Sequence, residues 1–145
     1  LPTSAERGDF LPGATSFALE NLRNENGFFL MIEGSQIDFA SHDRDSTYLV
    51  NEMLDFNKTI NIVLDFAKEN PNTLVVVTAD HETGGLTIKD RDLKKGDVEV
   101  RFETIKHTGT LVPVFSFGPK AEEFIGIQEN IDIPQKIIKM WNLGK

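Results

Sequence analysis

The 145-residue chain is 39% hydrophobic and 26% charged, enough for one ordinary globular core without disulfide staples. Its 23 Asp and Glu outweigh 15 Lys and Arg for a net charge of -8, and with no basic cluster this argues against a nucleic-acid partner. Cysteine is absent, so any metal must be held by His and carboxylates, and no apolar run approaches the roughly 18 residues of a membrane span, so no membrane partner is expected.

The chain opens Leu1-Pro2-Thr3-Ser4, with neither an initiator Met nor a signal peptide, which suggests a removed leader or a piece of a longer protein. Pro2, Gly8, Pro12 and Gly13 predict an irregular lead-in over 1–14, followed by a short helix over about 15–25 that stops at Asn26-Gly27. Phe28-Phe29-Leu30-Met31-Ile32 is a continuous apolar run, the pattern of a strand buried on both faces, and it ends at Glu33-Gly34. Leu49, Met53, Phe56, Ile60, Val63 and Ala67 draw one apolar stripe along a long helix that Asn70-Pro71-Asn72 terminates. Ser46 or Thr47 reads as its cap.

Residues 73–78 form a second β-branched strand, ending in Asp80-His81. Residues 83–106 are polar, with Gly84, Gly85 and Gly96, and predict a ribbon or loop excursion. Val112 to Phe117 is a third strand, punctuated by Gly118-Pro119. Asp132 is read as the cap of a last helix carrying Ile133, Ile137, Ile138 and Trp141, with Asn142-Leu143-Gly144 as its stop. This order predicts an α/β fold, with a mostly parallel sheet flanked by helices, in a single segment spanning 1–145. In open α/β sheets ligands collect beyond the carboxyl ends of the strands, and two of these strands end in side chains that bind metals.

Asp38 and His42 are four residues apart, so one helical turn would project both from the same face toward one ion. The alternative is a surface Asp-His pair. Asp80 and His81 are neighbours whose side chains can share a cavity where a strand breaks into a loop, or they are a capping Asp beside a satisfied loop His. His107, in a polar turn before the third strand, is alone compatible with a solvated loop position. Glu33 follows five apolar residues, so its carboxylate is expected near the sheet end, partly desolvated and paired with a cation, a donor or a salt-bridge partner. Imidazoles with carboxylates and no thiolate suit catalytic zinc, whereas an isolated oxygen ligand such as Glu33 suits magnesium better.

The block from Phe28 through Glu33-Gly34-Ser35-Gln36-Ile37-Asp38 to His42 resembles the alkaline phosphatases. So do Thr73 through Ala79-Asp80-His81, and His107-Thr108-Gly109 followed by a strand and Phe117-Gly118-Pro119. Order and spacing agree over about residues 15–145. The resemblance implies the C-terminal portion of a three-layer catalytic domain that hydrolyses phosphate monoesters through a phosphoenzyme, with two Zn²⁺ and one Mg²⁺. It implies that Asp38, His42 and His107 bind one zinc, Asp80 and His81 the second, and Glu33 the magnesium. A homodimer and a periplasmic or secreted location are implied on the same ground.

The family's nucleophile, on an Asp-Ser-Ala-type motif upstream of these blocks, has no counterpart. Asp45-Ser46-Thr47 follows His42 and is in the wrong place. None of Arg7, Arg23, Arg44, Arg91 or Arg101 matches the family's phosphate-clamping Arg. The isolated chain is therefore expected to be inactive, and unpaired strand edges and apolar faces are expected to favour self-association. Two other readings compete: a member of the same superfamily acting on phosphodiesters, sulfates or phosphomutase substrates, or a non-catalytic metal-binding or assembly module.

Overall fold

A computed structural model describes residues 3–92, 94–95 and 97–142, so the expectations at Leu1-Pro2, Gly96 and Leu143-Gly144 lie outside the described residues. Helix begins earlier than the sequence suggests. Most of the expected irregular lead-in is taken up by α1 (Ser4–Arg7) and α2 (Phe10–Asn21), and α2 ends before the predicted Asn26-Gly27 stop. Pro12 does not break α2 because it stands in the first turn, where backbone N–H groups have no intrahelical partner in any case. The backbone N–H and hydroxyl of Thr3 both donate to Glu6 Oε2, at 2.7 and 3.0 Å, and fix the start of α1.

The long helix α4 (Ser46–Glu69) is capped by Asp45, whose carboxylate accepts from the Tyr48 amide at 2.9 Å. Ser46 and Thr47 are already inside the helix, which corrects the expected cap. Its buried face is also rotated from the predicted stripe: Leu49, Glu52, Asp55, Thr59 and Ala67 are buried, while Met53 is 51% exposed. The two acids point inward because Arg7 meets them. One Arg7 nitrogen lies 2.7 Å from both Glu52 Oε2 and Asp55 Oδ2, and the Ser4 amide donates to Glu52 Oε1 at 2.6 Å. A charged cluster thus replaces apolar contact where α1 crosses α4.

Residues 28–33 join no strand ladder among the described residues. Phe28, Leu30 and Ile32 are half-buried, with the Phe28 ring edge-on to Phe66 of α4 at 6.2 Å, whereas Phe29 and Met31 are exposed. The expected strand buried on two faces is therefore an unpaired segment with its side chains alternately half-buried and exposed.

The β structure is a nested excursion. Strand β1 (Val75–Val77) leaves the body, followed by β2 (Glu82–Thr83) and β3 (Thr87–Asp92), and β4 (Asp97–Arg101), β5 (His107–Thr108) and β6 (Phe115–Phe117) return along the same path. The pairs are β1 with β6, β2 with β5 and β3 with β4, all antiparallel. The α/β class holds, but these ladders are not the expected parallel ones. A chain that doubles back on itself returns every strand reversed, whereas parallel pairing needs a crossover.

After β6, Gly118 has φ 100°, and a Cβ there would lie 2.1 Å from the Thr73 carbonyl oxygen, so only glycine lets the chain pass that backbone. A 3₁₀ turn at Ala121–Phe124 then buries Phe124. The last helix, α5 (Asp132–Met140), has Asp132 as its first residue and Ile131 at the cap position, one residue from the expectation. The Asp132 carboxylate instead accepts from the Glu129 amide at 3.0 Å.

Accessible surface totals 10390 Å² for 16.3 kDa, against about 7,500 Å² for a compact monomer of that mass. Met31, Ile125 and Ile127 are at least 80% exposed, so the chain presents much apolar surface.

Candidate metal centre

The site assembles where a short helix meets the excursion. At Gly34 a Cβ would lie 2.9 Å from the Phe56 ring of α4, so glycine lets the chain turn in tightly before α3 (Gln36–Asp43). In α3, Asp38 and His42 stand one turn apart on one face, as their spacing suggests, with His42 Nε2 3.3 Å from Asp38 Oδ2. The end of β2 docks on this helix through Gly84 (φ 92°), where a Cβ would stand 3.3 Å from the Ser41 carbonyl. Strand β5 pairs with β2 in the register Thr83 to His107, which carries His107 to α3.

His107 Nε2 comes to rest 3.1 Å from His42 Nε2 and 3.6 Å from Asp38 Oδ1. One ligand atom from each of Asp38, His42 and His107 lies within 4.8 Å of the other two. The opposite ring nitrogen of His42 is 2.6 Å from the Ile105 carbonyl oxygen. A carbonyl only accepts, so Nδ1 carries a proton and Nε2 is the nitrogen turned toward Asp38 and His107. His107 is thus in a strand rather than a solvated turn, although its side chain remains about half exposed.

Asp80 and His81 form an adjacent group. Asp80 Oδ2 lies 3.2 Å from His81 Nε2, and Asp80 Oδ1 accepts from the His81 amide at 3.1 Å. The Asn130 side chain donates to the Asp80 carbonyl at 2.5 Å, tying this loop to the chain ahead of α5. The His81 ring stacks on His107 with centroids 3.5 Å apart, so the two groups are contiguous. Glu33 stands apart from the three-residue cluster and is exposed, not partly desolvated as expected, because it falls at an exposed position of the alternation through residues 28–33.

Two residues at this site carry no signal strong enough to single them out in the sequence. The Thr83 hydroxyl, on a nearly buried residue, donates to Asp38 Oδ1 at 2.5 Å and lies 3.2 Å from His81 Nδ1. Glu82 accepts from the Gly85 and Leu86 amides at 3.1 and 2.9 Å and from the Thr108 hydroxyl, bracing β2 against β5. Burial pushes the Glu82 carboxyl up, but the Thr108 hydroxyl and the two amides outweigh it and hold its pKa below the ordinary value. An acid followed by Thr and two glycines is a legible turn signal; its bracing role required β5.

The donor set fits a zinc ion. Two imidazole nitrogens and one carboxylate oxygen converge without a thiolate, and Asp38, His42 and His107 keep 37%, 33% and 47% side-chain exposure, which leaves an open side for water or substrate.

The sequence profile of one family, described as alkaline phosphatase, matches residues 9–98. Alkaline phosphatase 4 of Bacillus subtilis (strain 168) is 35% identical over 130 residues, covering 89% of this chain and 28% of that protein. Alkaline phosphatase of Escherichia coli (strain K12) is 32% identical, covering 88% of this chain and 31% of that protein. Among solved structures, the alkaline phosphatase of the Antarctic bacterium TAB5 superposes with a TM-score of 0.90 at 44% identity, covering all of this chain and 44% of that one. A histidine variant of the TAB5 enzyme, described with Mg bound in its M3 site, superposes with a TM-score of 0.89. The chain spans less than half the length of each of these relatives. With the profile covering more than half of its residues and the superposition extending over all of them, the chain belongs to the alkaline phosphatase family.

Proposed function

We propose that this chain is the metal-ligand-bearing portion of a phosphate monoester hydrolase that works through a phosphoenzyme. Asp38, His42 and His107 hold one zinc, Asp80 and His81 contribute to a second, and Glu33 contributes to a magnesium. The observation that carries this reading is the convergence of three ligand atoms, from residues up to 69 positions apart, within 4.8 Å. When bound, the metals supply Lewis-acid stabilisation of the charge that develops on the attacking and leaving oxygens.

The chain's own residues prepare that chemistry. The Ile105 carbonyl holds the His42 ring with its Nε2 turned inward, and Asp38 brings a negative charge to the same point. His81 stacked on His107 keeps the two ligand groups side by side. The magnesium assignment draws support from the Mg described in the TAB5 variant. A periplasmic or secreted location is proposed on the family resemblance alone.

The chain carries no counterpart of the family's nucleophile or phosphate-clamping Arg, so it binds zinc without turning over phosphate esters by itself. Its exposed apolar surface favours self-association, which light scattering over a concentration series would register. Zinc titration calorimetry and a p-nitrophenyl phosphate assay with both metals test the reading together. A zinc site weakened in His42→Ala, with no turnover, is the expected result. Unchanged zinc affinity in His42→Ala overturns the ligand assignment, and metal-dependent turnover by the chain overturns the proposed inactivity.

A further inference from the structure

We propose that Thr83 is a positioning residue that links the two ligand groups through a single hydroxyl, an inference that rests on the ligand assignment above. Thr83 is 8% exposed, and its Oγ1 lies 2.5 Å from Asp38 Oδ1 and 3.2 Å from His81 Nδ1. A hydroxyl has one proton to give and two lone pairs that accept. The Asp38 carboxylate only accepts, so the proton goes to Asp38; turned away, the hydroxyl would set lone pair against lone pair at 2.5 Å.

With its proton committed, the Thr83 oxygen can serve His81 only as an acceptor. His81 therefore carries a proton on Nδ1, and its Nε2 is the nitrogen left to face Asp80 Oδ2, 3.2 Å away, where a proton or a cation joins the two. Thr83 is also paired with His107 across the β2–β5 ladder. One side chain thus aims Asp38 in the first group and holds a proton on Nδ1 of His81 in the second, while its strand neighbour supplies the third ligand. Outer partners of this kind hold ligands in their binding orientation, and their loss weakens metal affinity by about 10–100-fold.

The test uses the full chain in wild-type, Thr83→Val and Thr83→Ser forms, with His42→Ala as a separate control. Nitrogen-15 NMR of the metal-free chain reads which His81 ring nitrogen carries a proton. Calorimetry with zinc alone reads affinity. Wild type is expected to hold a proton on Nδ1 of His81. Thr83→Val leaves Nδ1 only partly protonated and weakens zinc about 10–100-fold, and Thr83→Ser restores both.

A wild-type His81 whose Nδ1 carries no proton overturns the proposal even if Thr83→Val does not fold. Unchanged zinc affinity in a folded Thr83→Val also overturns it, as does a loss that Thr83→Ser fails to restore. Wild-type affinity in His42→Ala is the distinct failure of the ligand assignment, and the proton on His81 Nδ1 still reads out the Thr83 bridge in that event.

Discussion

The Nε2 atoms of His42 and His107 stand 3.1 Å apart although 65 residues separate them in the chain. Two protons cannot fit between nitrogens that close, and two bare lone pairs repel. The position calls for one shared proton or one cation, and the oxygens of Asp38 at 3.3 and 3.6 Å add the negative charge that favours a cation.

Zinc should therefore stabilise the folded chain through this cluster. A ligand that binds only the folded form at 100 times its dissociation constant adds about 2.7 kcal/mol, which for a chain of this size raises the melting temperature by roughly 5–10 °C. Differential scanning fluorimetry with zinc should show that rise in wild type and little of it in His107→Ala. Equal rises in the two proteins would count against a shared ion.

Arg7 faces two buried acids on α4, with one guanidinium nitrogen 2.7 Å from each. Arg7→Ala would leave Glu52 and Asp55 charged and deprived of this cation, a loss of about 3–5 kcal/mol by the usual cost of breaking a buried ion pair. Urea unfolding measures it. A change below 1 kcal/mol would show that α1 does not hold to α4 through these charges.

The pH dependence of stability has a definite sign here. Burial pushes the Glu52 carboxyl upward, but hydrogen bonds from Arg7 and the Ser4 amide outweigh it and hold its pKa below the ordinary 4.5. A carboxylate depressed in this way contributes its full stabilisation above about 4.5, and the contribution is lost as pH falls through the lower folded value. Glu52→Gln should thus cost most at neutral pH, and the gap from wild type should narrow below pH 4.5 in a series of urea melts. A gap that stays constant across the series would exclude the linkage.

Gly118 and Gly126 both have φ near +100°, but they differ in what a methyl group would meet. At Gly118 it would stand 2.1 Å from the Thr73 carbonyl oxygen, and at Gly126 it would meet nothing within 4 Å. Gly126→Ala should cost only the backbone strain, about 1–2 kcal/mol, and Gly118→Ala distinctly more, because the β1–β6 pairing must also give way. Thermal melts of the two variants make the comparison, and similar losses would mean that β6 can shift away from Thr73.

Local pattern revealed part of what the fold brings together. Four-residue spacing put Asp38 and His42 on one helical face, and α3 realises it. The β-branched run at 73–78 and the apolar run at 112–117 each contain a strand, though the paired portions are only Val75–Val77 and Phe115–Phe117. Pro12 misled because its effect depends on its position within a turn, which sequence spacing alone does not supply. On α4, Glu52 and Asp55 are charged residues at positions that periodicity assigns to solvent, and they are buried because Arg7, 45 and 48 residues away, neutralises them.

The sequence by itself determined which donor groups are available: three imidazoles, two of them near acids in the chain, no thiol, and a helical interval that puts Asp38 and His42 on one face. It also carried the family, through blocks whose order needs no coordinates to read. Tertiary structure alone decided which residues meet. His107 reaches His42 only because nested antiparallel pairing brings β5 back alongside β2, and the Thr83 hydroxyl reaches Asp38 only because the end of β2 docks on α3. Side-chain type and short spacing are local properties of a chain, whereas a meeting of residues 65 apart depends on the path the backbone takes between them.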